Sequence, residues 1–187
     1  MNIKSVFGLA ALSLLLTSCQ SNSFHIKGFA RQLPEGDTIC LVADKPEEIL
    51  ATTTVCNGQF TLSGEADSIL LCRIYAKSQY DNGVTFFLEP SAMTAELNKF
   101  PAISRVSGTR INNEWQHLND SIQLLGTEII RLSEAGITHD SPHQEIIKRI
   151  DSLHRKMSDC ILNTARRNND NTLGLYIQQN YQAPEFK

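Results

Sequence analysis

The hydrophobic periodicity of this 187-residue chain changes near residue 110. Before that point, apolar and polar residues alternate in short runs separated by turn residues, which is typical of antiparallel strands with one buried face. After it, apolar residues recur every three or four positions, as in amphipathic helices. The order predicts an α+β fold in which a β-rich domain over residues 24–110 precedes a helical segment over residues 111–187.

The β-rich half contains about seven short predicted strands in roughly 85 residues, which predicts an antiparallel β-sandwich or a strongly twisted sheet. Its clearest hairpin has Asn57 and Gly58 at the tip, and this is the preferred pair for a two-residue type I′ turn. Such a turn pairs Thr53 with Leu62 across one ladder. We therefore expect one continuous hairpin with an apolar and a polar face.

The helical half carries two apolar stripes at helical spacing. Asn112 or Asn113 is the expected N-cap of the first helix, because either side chain can accept a hydrogen bond from a free backbone N–H group. Two such helices joined by a short loop predict an antiparallel αα-hairpin, and residues 172–180 predict a short third helix. The stripes consist of Trp115, Leu118, Ile122, Leu125, Ile129 and Leu132, then of Ile146, Ile150, Leu153 and Met157.

Residues 1–18 have the features of a lipoprotein signal peptide. Lys4 provides a positive start, and the apolar run Val6–Leu16 is about 16 Å long as a helix, roughly half of a bilayer core. It is therefore a signal segment and not a membrane span. The run leads into a Leu-Thr-Ser-Cys sequence ending at Cys19, which resembles a bacterial lipobox. An ordinary secretory signal followed by a coincidental cysteine is the alternative.

The lipobox resemblance implies that the peptidase cuts before Cys19 and that its thiol carries the lipid, with residues 19–23 as a short polar tether. Two or three acyl chains anchor a protein stably to a membrane. Gln20 stands where Asp would retain an enterobacterial lipoprotein at the inner membrane. We therefore expect a protein of the cell envelope that is lipid-anchored to the outer membrane and faces the periplasm.

The charge balance argues against one class of partners. The chain has 17 Lys and Arg residues against 20 Asp and Glu residues, and loss of Lys4 with the signal takes the net charge from −3 to −4. Proteins that bind nucleic acids need a basic excess to neutralise phosphates. Nucleic acid is therefore not an expected partner.

Five short motifs follow one another through the β-rich half. They are Phe24-x-Ile26-x-Gly28, Gly36-Asp37-x-Ile39-x-Leu41, Asn57-Gly58-x-Phe60-x-Leu62-x-Gly64, Phe86-Phe87-Leu88-Glu89-Pro90 and Val106-Ser107-Gly108-Thr109. Their order resembles the uncharacterised β-rich domain DUF4369, which is found at the amino end of lipid-anchored, thioredoxin-like thiol–disulfide oxidoreductases of Bacteroidota. The resemblance covers Phe24 to about Asn113.

The resemblance implies a redox relationship but assigns no redox residue. In that family the activity belongs to a thioredoxin domain, which would begin about where this chain ends, at Lys187. No Cys-x-x-Cys motif occurs in the sequence. We therefore expect a member of the family without the thioredoxin domain and without its activity.

Four cysteines remain besides Cys19, an even number that permits three disulfide pairings in an oxidising compartment. Cys72 and Cys160 lie within apolar patterns and are expected to be small buried hydrophobic residues. Cys40 and Cys56 fall on the polar faces of adjacent predicted strands. They are the candidate pair for a disulfide.

Other residues that could carry chemistry have simpler explanations. Glu89 ends a predicted strand before Pro90, where a carboxylate usually belongs to a turn or to the end of a ladder, and ligand binding is the less favoured alternative. His139 and His143 flank a turn, and their spacing matches no common metal site. We therefore predict no catalytic residue, no metal and no cofactor.

Three functions remain open from the sequence. The leading hypothesis is a non-enzymatic interaction module at the outer membrane that contacts an unknown envelope protein or ligand. The second is a truncated or accessory relative of the thiol–disulfide oxidoreductases. The third is a small-molecule or glycan-binding lipoprotein, which the aromatic content of 7% supports only weakly.

Overall fold

A computed structural model of the chain describes residues 22–138 and 143–181, without the side chains of 136–138 and 143. The predicted signal peptide and Cys19 lie outside the described residues. The helices are α1 (Arg110–Thr138), α2 (His143–Arg167) and α3 (Thr172–Asn180), and a short 3-10 helix spans Lys77–Asn82. The strands are β1 (Ser23–Phe29), β2 (Thr38–Ala43), β3 (Glu48–Thr54), β4 (Gln59–Glu65), β5 (Leu70–Ala76), β6 (Val84–Leu88), β7 (Ala92–Glu96) and β8 (Arg105–Ser107). This order confirms the predicted α+β class.

The described strands form two four-stranded sheets that enclose a common core. One sheet has the order β4-β1-β7-β8 and the other the order β3-β2-β5-β6. Neighbouring strands are antiparallel except for β1 and β7, which are parallel. Alternate residues enter the space between the sheets, as the period-two pattern requires. The buried side chains there include Phe24, Ile26, Ile39, Leu41, Phe60, Leu62, Ile74 and Phe86.

The hairpin predicted around Asn57 and Gly58 is a corner between the two sheets. Both residues have a positive φ, 53° and 68°, as a type I′ turn requires, and a single bridge joins the residues that flank them. Beyond that bridge, Thr53 pairs with β2 and Leu62 pairs with β1. The predicted pairing of Thr53 with Leu62 is therefore wrong. β3 pairs within one sheet and β4 within the other, while Leu62 still faces the shared core. Because the same side chains are buried in either case, the alternation of apolar and polar residues does not distinguish a hairpin from a corner.

A second hydrophobic cluster joins the sandwich to the helices. Phe86 and Phe87 are consecutive in β6 and point to opposite faces of the sheet, so Phe86 belongs to the sandwich core while Phe87 packs against the helices. The ring of Phe87 makes edge-to-face contacts with Trp115 of α1 and Tyr176 of α3, at centroid distances of 5.8 and 5.6 Å. The cluster also contains Ile111, Leu118, Ala165, Leu173 and Ile177.

Side chains of α1 cover most of the free edge of β6. This strand is last in its sheet, so the backbone groups on its outer side have no neighbouring strand to pair with. The N–H of Phe87 donates to Oδ1 of Asn112 (2.9 Å), and Nδ2 of Asn112 donates to the carbonyl oxygen of Phe87 (2.7 Å). Nε1 of Trp115 donates to the carbonyl oxygen of Thr85 (2.9 Å). The helix thus takes the place of a missing strand.

The start of α1 differs from the predicted cap. Thr109 precedes the helix, and its Oγ1 accepts a hydrogen bond from the backbone N–H of Asn112 (3.2 Å), as an N-cap side chain does. Asn112 lies inside the first turn and is fully buried, while Asn113 accepts a hydrogen bond from the N–H of Gly108 (3.1 Å). Neither asparagine is the N-cap, because the side chain of Asn112 is engaged with β6 and that of Asn113 with Gly108.

α1 and α2 pack against each other and form the predicted helical hairpin. The apolar stripe of α1 is buried near the sandwich, at Trp115 and Leu118, and half-buried farther along, at Ile122, Leu125 and Ile129. None of the helices in the described residues combines the length and the apolar character that crossing a membrane requires.

Replacing Asn112 with Ala would leave the N–H and C=O groups of Phe87 without partners, so we expect the free energy of unfolding to fall by about 2–5 kcal/mol. Asn113→Ala is the matched control, because that side chain is exposed and accepts a single hydrogen bond. Its loss should cost about 1 kcal/mol or less. Urea unfolding measures both variants, and equal losses would contradict the role assigned to Asn112.

Candidate functional site

A groove of about 470 Å³ lies between the start of β6 and α1. It begins where the edge cover provided by Asn112 and Trp115 ends. Tyr176 and Tyr181, in α3 and directly after it, also line the groove. The strand side consists of Gly83, Val84 and Thr85, and the helix side of Trp115, Gln116, Asn119, Asp120 and Gln123.

Three amide side chains line the helix side of this groove. Gln116, Asn119 and Gln123 follow Asn112 at intervals of four, three and four residues, which places all four amides within about 60° on one face of α1. Gln116 donates a hydrogen bond to Asp120 (Nε2 to Oδ1, 3.0 Å). The side-chain amides of Asn119 and Gln123 have no hydrogen-bond partner within the described part of the chain. Their donors and acceptors are therefore available to a ligand.

The carboxylate of the groove is compensated by a neighbouring cation. Nη1 of Arg105 lies 2.6 Å from Oδ2 of Asp120. Burial on its own raises the pKa of Asp120, but the hydrogen bonds from Arg105 and Gln116 outweigh that effect and hold the pKa below its ordinary value. Asp120 is therefore ionised and paired, and it adds little net charge to the groove.

A loop fixed by asparagine side chains forms one rim of the groove. Nδ2 of Asn82 donates to the carbonyl oxygens of Asn98 (2.7 Å) and Ala102 (3.2 Å). The same loop presents two apolar side chains to solvent, Phe100 and Ile103, which are 74% and 40% exposed. Ile103 lines the groove. Apolar surface therefore adjoins the row of amides.

Glu89 belongs to a hydrogen-bonded cluster at the joint between the sandwich and α1. Its carboxylate accepts hydrogen bonds from the hydroxyl of Thr109 and from Nδ2 of Asn112, the latter at 3.3 Å. Burial raises the pKa of Glu89, and the hydrogen bond from Thr109 opposes that rise only in part. Glu89 thus supports the residues that hold α1 in place, and it does not line the groove.

The strand register contradicts the disulfide predicted between Cys40 and Cys56. Both are free thiols. Cys40 lies opposite Thr52, and Cys56 is four residues farther along, which is about 13 Å of extended chain, whereas bridged cysteines have Cα atoms about 4.4–6.8 Å apart. Cys40 is also only 1% exposed. The predicted polar face is wrong because β2 is an inner strand with both faces covered.

The other two cysteines lie in separate environments. Cys72 is buried, as predicted, and this burial, together with the charge of Asp44, raises the pKa of its thiol to about 12. Cys160 is half-buried and lines a cleft of about 250 Å³ between α1 and α2, with His117 and Arg167 nearby. The guanidinium of Arg167 is paired with Glu114 at 2.9 Å.

The metal-binding potential of the described residues is low. Across 22–138 and 143–181, no three His, Cys, Asp or Glu side chains are grouped so that they could hold a metal ion. The side chains of His139 and His143 lie outside the described residues.

Comparison with known families identifies the β-rich half. The family model described as "Domain of unknown function (DUF4369)" matches residues 24–115. Residues 24–115 are a DUF4369 domain. No curated protein matches the chain. The DUF4369 match ends at Trp115 and so includes Asn112, which means that the domain contains the two side chains that cover its own edge strand.

The sequence pattern alone does not predict the groove beside the DUF4369 domain. A signal was present, because Asn112, Gln116, Asn119 and Gln123 repeat at helical spacing beside the apolar stripe of α1. Polar residues at such positions usually form a solvated helix face. Only the position of β6 shows that this face borders an edge strand, and that relation depends on tertiary structure.

The raised pKa of Glu89 predicts a pH dependence of stability. A carboxyl group whose pKa is higher in the folded than in the unfolded protein stabilises the fold when protonated, and this contribution is lost as the pH rises through the folded-state pKa. Glu89→Gln mimics the protonated group at every pH. We therefore expect the stability of this variant, relative to wild type, to increase from pH 4 to pH 7 in urea melts.

The exposed residue Glu145 provides the control, as Glu145→Gln. A difference between Glu89→Gln and wild type that stays constant with pH, or that shrinks toward pH 7, would contradict the assigned environment of Glu89.

Proposed function

We propose that this protein is a lipid-anchored, non-enzymatic binding module of the cell envelope and that the groove between β6 and α1 is its binding site. The observation that carries the proposal is the change along β6. Its outer edge is covered by hydrogen bonds from α1 at both backbone groups of Phe87 and at the carbonyl oxygen of Thr85, whereas the adjoining groove contains amides without partners in the described residues. Hydrogen-bonding groups left open beside a rigid scaffold are typical of a binding site.

The placement of the acidic groups supports binding rather than catalysis. Asp120 is ionised and paired with Arg105, and Glu89 is engaged by Thr109 and Asn112. A general acid or base needs a titratable group that can reach a bound substrate. Both carboxylates are instead committed to contacts that hold the structure together.

The placement of the thiols gives the redox alternative no support. Oxidoreductases of the thioredoxin type use two cysteines close enough to form a disulfide, one of them with a lowered pKa. Here Cys40 and Cys56 are separated by the strand register, and Cys72 has a raised pKa. An accessory role beside such an enzyme would have to come from the surface of the protein and not from these thiols.

The anchor would hold this domain close to the membrane. Cys19 precedes Ser23, the first residue of β1, by four positions, a distance of at most about 14 Å of extended chain. A lipid at Cys19 therefore keeps the sandwich near the bilayer surface. This supports a partner that is itself part of the envelope.

Site-specific photo-crosslinking in cells tests the proposed site. The crosslinker p-benzoylphenylalanine replaces Ile103, which lines the groove and is exposed, and in the control it replaces Ile147, an exposed isoleucine of α2. We expect defined crosslinked species from position 103 and none from position 147. Equal crosslinking from the two positions, or none from position 103, would contradict the groove as the binding site.

A separate cell-fractionation experiment tests the lipid anchor. Cys19→Ala is introduced with the signal otherwise intact, and we expect the protein to move from the detergent-soluble membrane fraction to the soluble periplasm. Retention of the variant in the membrane fraction would contradict lipid attachment at Cys19.

A further inference from the structure

The protein already contains one instance of an amide on α1 recognising an extended backbone. The side chain of Asn112 accepts from the N–H of Phe87 and donates to its carbonyl oxygen, at 2.9 and 2.7 Å. A carboxamide can do both because it carries an acceptor oxygen and an NH₂ donor. The pair reproduces the two hydrogen bonds that one residue exchanges with a partner in an antiparallel ladder.

The groove continues this arrangement along the same helix face. From Asn112 to Gln123 the helix rises about 16 Å, which is the length of about five residues of extended chain. Asn112 contacts β6 at one end of that distance. Gln116, Asn119 and Gln123 occupy the rest and face the groove, so they offer further carboxamides to a second extended chain.

The strand side of the groove offers one more backbone group. In an antiparallel ladder, residues two apart direct their backbone groups to the same side, so Thr85 points outward like Phe87. Trp115 occupies the carbonyl oxygen of Thr85. The backbone N–H of Thr85 also points outward, and Thr85 lines the groove. A backbone group in this position can pair with a strand that is added to the edge of the sheet.

The charge and the surface of the groove define its occupant. Asp120 is compensated by Arg105, so the groove favours an uncharged ligand. Ile103 adds exposed apolar surface at the rim, which suits apolar side chains. An extended peptide supplies both features, since its backbone is neutral and its alternate side chains reach neighbouring surfaces.

Two of the three aromatic rings that line the groove are poorly placed for a saccharide. Sugars are usually bound on the open face of an aromatic ring, but Trp115 is buried. It makes an edge-to-face contact with Tyr176 at 5.5 Å, and both rings contact Phe87. These two rings are therefore occupied in the second hydrophobic cluster.

We infer that the groove binds an extended, uncharged segment of a partner polypeptide, whose backbone is recognised by the carboxamides of α1 and the N–H of Thr85. This inference rests on the proposed function and specifies its ligand. It predicts that binding depends on the backbone of the peptide as much as on its side chains.

Fluorescence of Trp115 provides a direct test, because Trp115 is the sole tryptophan of the chain and lines the groove. The full mature protein in detergent is titrated with a library of uncharged hexapeptides that lack Trp and have acetylated and amidated ends. We expect a saturable change in emission for members of this library. Peptides of the same sequence with N-methyl groups on alternate residues lose backbone donors, and we expect them not to bind.

Substitutions in the groove test whether the side-chain amides of α1 cause the change in Trp115 emission. Asn119→Ala combined with Gln123→Ala removes two carboxamides without hydrogen-bond partners in the described structure, and we expect affinity to fall about tenfold or more with an unchanged melting temperature. Gln144→Ala, at an exposed glutamine of α2, is the control and should bind like wild type. Unchanged affinity in the double variant would overturn the inference.

Two further outcomes separate this inference from the proposed function. Saturable binding of neutral chito- or malto-oligosaccharides in place of the peptides, or equal binding of N-methylated peptides, would overturn peptide recognition. If position 103 still yields crosslinks in cells, the groove remains a binding site for another ligand. If position 103 yields none and no peptide binds, both proposals fail.

Discussion

The side-chain amide of Asn112 and the backbone of Phe87 exchange two hydrogen bonds, and the position of the helices depends on this contact. An uncovered edge strand pairs readily with other chains, so β6 needs a cover. Asn112 covers both backbone groups of Phe87, and Trp115 covers the carbonyl oxygen of Thr85. Because both side chains belong to the start of α1, they fix the helix against the strand. The groove opens where their reach ends.

The same contact explains why separate motifs of the DUF4369 domain meet at one place. Phe87 and Glu89 come from one motif and Thr109 from another, and all three make hydrogen bonds with Asn112. The side chain of Phe87 then packs against Trp115. The family match extends to Trp115 and thus includes this joint. We interpret the domain as a sandwich that carries its own edge cover, and the groove lies directly beyond that cover.

The fold class and most strands could be predicted from the sequence, because the spacing of apolar residues along the chain follows the buried face of each strand or helix. The prediction failed where burial depends on a neighbouring element. Cys40 alternates like a surface residue but is buried, since both faces of β2 are covered. Asn112 looked like a cap but is buried against β6. The groove could not be predicted for the same reason, because Asn119 and Gln123 look like ordinary solvated residues until the adjacent strand is located.

Amide hydrogen exchange in β6, followed by NMR, tests most directly whether α1 covers one part of the edge and leaves the next part open. The N–H of Phe87 is bonded to Asn112, so we predict that it exchanges as slowly as those of Phe86 and Leu88, which face β5. The N–H of Thr85 faces the groove and should exchange much faster, through local solvent contact rather than global unfolding. Rapid exchange at Phe87, or equal protection at Phe87 and Thr85, would contradict the account.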